Sequence, residues 1–209
     1  MVRTVTVRAQ VVIPILDGET CGTFYSFTGF DQAHEHFAIG LGSPDPVCPV
    51  VRLHSECITG DVFGSQRCDC GQQLTEALGR LTADGGYLLY LRQEGRGIGL
   101  YAKLDAYLLQ EQGLDTFEAN RQLRHPEDAR SFECAAEMLR ALGVRRCRLI
   151  TNNPSKAADL LAGGIEVAEV LPTGVYLTRH NRRYLEAKAQ KKNHAIDLRR
   201  HDQAKANVA

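Results

Sequence analysis

The chain carries no excess of charge of either sign: 25 lysines and arginines stand against 25 aspartates and glutamates, for a formal net charge of zero. That removes the simplest electrostatic ground for a nucleic-acid or membrane-surface partner, since both are polyanions that recruit basic proteins, and neither is expected. There is no apolar run of the roughly 18 residues a membrane-spanning helix needs, and no signal-like apolar segment near Met1. In such a chain, seven cysteines, an odd number, point to a reduced, cytoplasmic protein without disulfides. At 209 residues, folding needs no staples. One domain, or two intimately joined halves, is expected over 1–194, with a basic, small-residue tail at 195–209 that is flexible.

What is present is concentrated between Arg52 and Gln73, R-L-H-S-E-C-I-T-G-D-V-F-G-S-Q-R-C-D-C-G-Q-Q, which holds Cys57, Cys68 and Cys70. Three thiolates leave one corner of a tetrahedral zinc open, the arrangement by which a catalytic zinc holds and acidifies water, whereas closed structural sites take four protein ligands. The spacing agrees, because C-x-C with one distant partner is unlike the C-x2-C pairs of structural knuckles. Free cysteine is most often a small buried hydrophobe. Here Arg67, Asp69 and Gln72 surround the pair, and a polar, glycine-flanked loop suits ligation better than packing. His54 is open to three readings: a fourth ligand, a substrate contact or a satisfied core histidine.

The first quarter reads as β-rich. Thr4–Ile13 alternates and then runs apolar, Asp17-Gly18 turns it, and Thr23–Phe27, His36–Ile39 and Val50–His54 follow as strands. Beyond the cysteines the period becomes helical: Leu74, Ala77, Leu78 and Leu81 share a face before Asp84-Gly85-Gly86. Tyr87–Leu91 is a buried strand, and Leu100, Leu104, Tyr107 and Leu108 continue as an amphipathic helix. A helix over Pro126–Leu142 carries Phe132, Ala135, Leu139 and Leu142 on one stripe, which puts Asp128 and Arg130 close to its first turn. Arg146–Thr151 is a strand, Pro154 opens a helix through Leu161, and Ile165–Val170 is the last strand. The fold class is α+β or mixed α/β, a β-rich N-terminal part joined to an alternating strand-helix layer.

Between Tyr87–Leu91 and the next helix stands Gln93-Glu94-Gly95-Arg96-Gly97-Ile98-Gly99, the setting of a dinucleotide fingerprint as well. Read from Gly95, G-x-G-x-x-G fails at Leu100; read from Gly97, it ends on Ala102, a permitted variant. The next step, a strand ending in an acidic residue about 20 positions on, is missing. Unshielded backbone N–H groups with Arg96 near a helix start suit a phosphate; the bland reading is a tight turn with a solvated arginine.

Five motifs, H-S-E-C-I-T-G-D, S-Q-R-C-D-C-G, R-Q-E-G-R-G-I-G-L, D-T-F-E-A-N and T-N-N-P-S-K, in order over about residues 10–195, resemble GTP cyclohydrolase II of riboflavin synthesis. The resemblance implies GTP as substrate, opening of its imidazole ring at C8, and release of formate and pyrophosphate to leave a diamino-phosphoribosylamino-pyrimidinone. It implies one zinc per chain at Cys57, Cys68 and Cys70, Mg2+ with the triphosphate, and a homodimer. Asp128 and Arg130 inherit the acid-base and arginine roles of the family's D-x-R, and Tyr107 matches a tyrosine near the reacting carbon. Arg52, Leu53, His54, Ser55, Glu56, Gln73, Glu94, Gly95, Arg96, Thr116, Thr151 and Lys156 match nucleotide-binding positions. Two departures stand out: Leu123-Arg124-His125 replaces a common L-G-F, and Asn193 precedes His194 where glycine is usual. Two other readings are a paralogue that retains the formyl group or serves a specialised purine-derived pathway, and a non-enzymatic zinc-binding module.

Overall fold

The computed structural model describes residues 4–31, 34–114, 116–126, 128–182 and 185; the tail expected at 195–209 and the Asn193-His194 departure lie outside them. The chain runs through β1 (Thr6–Ile15), β2 (Thr20–Thr28), β3 (Phe37–Leu41) and β4 (Val50–Ser55), then α1 (Ile58–Asp61) and α2 (Cys70–Asp84). It continues with β5 (Gly86–Leu91), a tight turn at Glu94–Gly97, α3 (Leu100–Glu111), α4 (Thr116–Gln122) and α5 (Glu133–Ala141). β6 (Arg146–Ile150), α6 (Pro154–Ala162) and β7 (Glu166–Leu171) follow.

The strands form one mixed sheet in the order β1-β2-β3-β5-β4-β6-β7. β1, β2, β3 and β5 are antiparallel neighbours, while β4 lies parallel to β5 and β6, and β6 parallel to β7. The mixed class expected from the pattern is the one found. Alternate residues of the central strands feed two cores on opposite faces, as the two-residue period of a strand requires. Val51, Leu53, Leu89, Leu91 and Leu149 pack with Met138, Leu139 and Leu160 of α5 and α6, whereas Val50, Leu88 and Ile150 pack with Ala77 and Leu81 of α2. Burial on both faces is why β5, Gly86–Leu91, reads as an almost continuous apolar run. β1, at the sheet edge, is exposed along nearly its whole length.

Two expectations are corrected. The helix expected from Pro126 starts only at Glu133, after Phe132, so Asp128 and Arg130 stand in the preceding irregular segment and not in a first helical turn. The Ala129 amide is already engaged there, donating to the Arg96 carbonyl at 3.0 Å. α3 forms, but its leucine stripe faces outward: Leu104 and Leu108 are 43% and 61% exposed, while Lys103 and Ala106 are buried. The inner face of α3 looks onto a polar site instead of a core. The strand whose lack told against a dinucleotide fingerprint is absent here too: among the described residues, β5, turn and α3 are followed by α4. Among the described residues, no helix is long and apolar enough to cross a membrane.

Candidate active site

β4, β5 and β6 run parallel, and the segments after their C-terminal ends open onto one cleft, the position expected of a ligand site on such a sheet. The segment after β4 brings Glu56, Cys57, Cys68 and Cys70; that after β5 brings Gln93–Arg96; that after β6 brings Thr151–Asn153 and, one helical turn on, Lys156. Asp128 and Arg130 complete the lining, and α3 supplies Lys103 and Tyr107.

The three sulfurs lie within 4.8 Å of one another, and Cys57 Sγ is 3.6 Å from Cys68 Sγ. A tetrahedral zinc with bonds of about 2.3 Å separates its sulfurs by about 3.8 Å, so the spacing fits the ion. Gly60 makes room for it: a Cβ there would stand 2.9 Å from Cys68 Sγ and 3.2 Å from Cys57 Sγ. Hydrogen bonds from Cys68 and Cys70, with the Lys103 ammonium, hold the Cys57 thiol far below its ordinary range. The same contact with Cys57 pushes Cys68 up to about 11, and contacts with Cys57 and Cys68 push Cys70 well up. Three buried or half-buried sulfurs converge here with the Lys103 ammonium beside Cys57, and thiolates grouped in this way suit a soft cation.

His54 stands outside this group. Its Nε2 lies 3.0 and 3.1 Å from the two Asp61 oxygens, and burial lowers its pKa despite the carboxylate, so the ring is neutral and Nε2–H donates. Asp61 also receives the Tyr90 hydroxyl at 2.8 Å and the Cys57 amide at 3.0 Å, which fixes the start of the cysteine loop.

Arg52 is buried, donating to the Ile150 carbonyl at 3.2 Å and to Gln73 Oε1 at 3.0 Å. The Gln73 amide donates in turn to Asp69 and to the Gly174 carbonyl. Glu56 accepts from Arg92 Nε at 3.0 Å. Lys156 is buried and donates to the carbonyl of Leu53 at 2.7 Å; the side chain of Leu53 belongs to the core, so this residue meets the site through its backbone. Thr151 Oγ1 receives the Asn153 amide at 2.9 Å. Of Thr116 only its place as the first residue of α4 is described.

In the glycine turn both Gly95 and Arg96 adopt left-handed backbone, with φ 60° and 63°, and Gly97 has φ 89°. A Cβ on Gly97 would lie 3.2 Å from the Ala129 backbone, so its bareness lets the 128–130 segment dock. Glu94 is spent internally: Oε2 accepts from the Ile58 amide at 2.7 Å, and Oε1 from the Gly95 amide at 2.7 Å and Lys103 Nζ at 2.8 Å. Tyr107 is half-buried under Arg67, whose guanidinium carbon is 4.7 Å from the ring centre. Burial pushes its phenol up to about 12, so it is a donor at neutral pH.

Reading the sequence singled out Arg67 only as part of the polar cysteine loop, and it assigned no role to Asp61, Asn152, Asn153 or Lys103. Lys103 had one available signal: it precedes Tyr107 by four residues, which puts both on one helical face. Four buried polar atoms along the cleft, Arg52 Nε, His54 Nδ1, Ser55 Oγ and Gln93 Oε1, have no hydrogen-bond partner among the described residues. Buried polar atoms are rarely left unmet in a native fold, so these are positions for water or a polar ligand to fill.

Taken together, the cleft at the C-terminal ends of β4, β5 and β6 gathers a three-thiol cluster and the cationic side chains of Arg52, Arg96, Arg130 and Lys156 in one place. The chain belongs to the GTP cyclohydrolase II family, whose sequence profile matches residues 8–172. It is 51% identical over 175 residues to the GTP cyclohydrolase-2 of Vibrio cholerae serotype O1, a match covering 83% of this chain and 88% of that one. The GTP cyclohydrolase-2 of Vibrio vulnificus matches with the same identity and coverage. The riboflavin biosynthesis protein RibBA of Bacillus subtilis is 50% identical over 182 residues, 84% of this chain and 45% of that protein.

Proposed function

We propose that this chain is a cytoplasmic GTP cyclohydrolase II, a single catalytic unit over 1–194 that works as a homodimer. It hydrolyses GTP at C8 of guanine and at the α-phosphorus, giving formate, pyrophosphate and the diamino-phosphoribosylamino-pyrimidinone. Atoms balance with three waters: one opens the ring to a formamide, one frees formate from it, and one displaces pyrophosphate.

Family membership supports this reading, and one observation carries it for this chain: three thiols and the arginines and lysine suited to a triphosphate line the same cleft. Cys57, Cys68 and Cys70 would hold zinc, which supplies Lewis-acid activation of water near neutral pH. Mg2+ accompanies the triphosphate, whose charge Arg96, Arg130 and Lys156 offset, since catalysis at phosphorus is largely positioning and electrostatics. Arg52 Nε and Ser55 Oγ donate to the nucleotide. Glu56 and Gln73 face the N–H-bearing edge of guanine, a carboxylate being its natural partner. The Tyr107 phenol donates to oxygen developing at C8. Arg130 acts as a fixed cation: a guanidinium gripped by Asp128 stays protonated and stabilises charge at phosphorus, a role chemically easier than attacking it.

The test is incubation of the purified chain with GTP, Mg2+ and Zn2+. Formate and pyrophosphate in equal amounts are expected. Pyrophosphate with a formylated nucleotide would replace this reading by the formyl-retaining reaction, and neither product would end it.

A further inference from the structure

We propose that Lys103 is a positioning residue that ties the cysteine loop to the glycine turn, so that metal at Cys57 and nucleotide at Gly95–Gly97 strengthen each other's binding. The inference rests on the metal and nucleotide reading above and adds a coupling between the two.

A lysine ammonium has three N–H donors. Lys103, only 9% exposed, spends them on Cys57 Sγ at 3.1 Å, Thr59 Oγ1 at 2.9 Å and Glu94 Oε1 at 2.8 Å. With those bonds made, no N–H remains for a phosphate, so its place in the cleft is not that of a substrate ligand. Its three acceptors come from two loops that follow different strands, β4 and β5. Glu94 completes the tie, taking the Ile58 amide on the cysteine side and the Gly95 amide on the turn side, each at 2.7 Å.

The stem of Lys103 matters as well as its head. A Cβ on Gly95 would lie 3.1 Å from Lys103 Cβ, so the left-handed backbone of Gly95 and Arg96 rests against this side chain. An ion that fixes the Cys57 sulfur thereby fixes Lys103, then Glu94, then the turn that carries Arg96 into the cleft. Coupling of this kind is reciprocal for binding free energies.

The experiment compares wild type, Lys103→Met and Lys103→Arg, with Glu94→Gln as a second route should Lys103→Met fail to fold; thermal melts check folding. Zinc affinity is measured by competition with a chromophoric chelator on nucleotide-free protein. Affinity for a 7-deaza, α,β-methylene analogue of GTP, which neither hydrolysis can consume, is measured by calorimetry with and without zinc. In wild type, zinc should tighten the analogue by about 5- to 150-fold. Lys103→Met should weaken zinc by about 10- to 100-fold, the usual effect of losing a partner of a metal ligand, and bring the zinc-dependent ratio for the analogue close to one. Lys103→Arg should recover part of both, and Glu94→Gln should lower the ratio. A purely structural lysine would lower melting temperature and leave the ratio intact, which overturns the proposal. So does a wild-type ratio of one, or zinc affinity unchanged in Lys103→Met. A wild type that binds no zinc overturns the metal reading and this inference together, so the two failures are told apart.

Discussion

Arg130 grips Asp128 at both carboxylate oxygens: Nε donates to Oδ1 at 2.8 Å, a terminal nitrogen to Oδ2 at 2.7 Å, and the Arg130 amide adds a bond to Oδ1 at 3.2 Å. Burial alone would raise the carboxyl pKa, but the guanidinium outweighs it and the net shift is downward. Asp128 is therefore ionised and already committed to its arginine before substrate arrives. If the pair acts as a unit, Arg130→Ala should lower pyrophosphate release by about 100-fold or more, the scale of losing one aimed charge donor. Asp128→Asn should cost a similar factor, and the double mutant no more than either single one. A coupled pyrophosphate assay decides it, and near-normal turnover in both single mutants returns the pair to a structural role.

The metal centre can be attacked without touching a sulfur. Gly60→Ala places a methyl group against Cys68 and Cys57. It should empty the site much as Cys68→Ser does, while the fold persists. Elemental analysis of both variants reads zinc directly, and full occupancy in Cys68→Ser would remove these thiols from the site. Formate release should be lost in both, whereas pyrophosphate release, which needs magnesium and cationic side chains, should fall less.

Tyr107→Phe keeps the ring beneath Arg67 and removes only the donor. Its hydrogen bond is assigned to the transition state at C8, so formate yield should fall more than GTP consumption, leaving a formylated nucleotide. Arg67 reaches Glu111 at 2.5 Å as it covers the ring, so Arg67→Ala should loosen the phenol and mimic part of that effect. Equal formate and pyrophosphate from Tyr107→Phe, read by mass spectrometry, would make Tyr107 a packing residue only.

His36 gives the fold an acid limit. Burial first, then the nearby charges of His34 and Arg92, lower its pKa from 6.5 to about 4, and its Nδ1 accepts the Arg92 amide at 3.0 Å. The unfolded chain binds this proton at a higher pH than the folded one, so stability rises with pH between about 4 and 6.5 and is lost as pH falls through that window. His36→Asn, which preserves an acceptor near the Nδ1 position, should flatten this slope in melts taken at pH 4.5, 5.5 and 6.5. An unchanged slope would assign the acid sensitivity to other groups.

Arg124 occupies left-handed backbone with φ 58° just past α4, a conformation that glycine enters at no steric cost. Arg124→Gly should stabilise the chain by about 1 kcal/mol, which for this size is a rise of roughly 2 to 4 °C in Tm. A lower Tm would mean that the arginine side chain more than compensates for its backbone.

The strands and the cysteine set were legible in the sequence because each leaves a local mark: alternation in β1, an apolar run in β5, and C-x-C with a distant partner around Cys68 and Cys70. Two misreadings share one physical cause. The segment before Glu133 carries a helical signal from Pro126, but Ala129 bonds to Arg96, more than thirty residues earlier in the chain, and no local pattern announces that. On α3 the leucines form the visible stripe, yet the helix turns Lys103 inward because Cys57, Thr59 and Glu94 await an ammonium there. Polar burial of this kind depends on partners distant in sequence, so periodicity points to the wrong face.

The insertion of β5 between β3 and β4 sets the order in which the chain can assemble. Consecutive strands β3 and β4 never pair with each other; both pair with β5, which is synthesised after them. Until Gly86–Leu91 leaves the ribosome, the N-terminal antiparallel strands and the β4 segment have no shared partner, and each presents an open edge to neighbouring chains. A slow codon stretch or a chaperone contact should therefore matter most just before this strand emerges, and substitutions at Leu88 or Leu89 should slow refolding more than equally buried changes at Leu160.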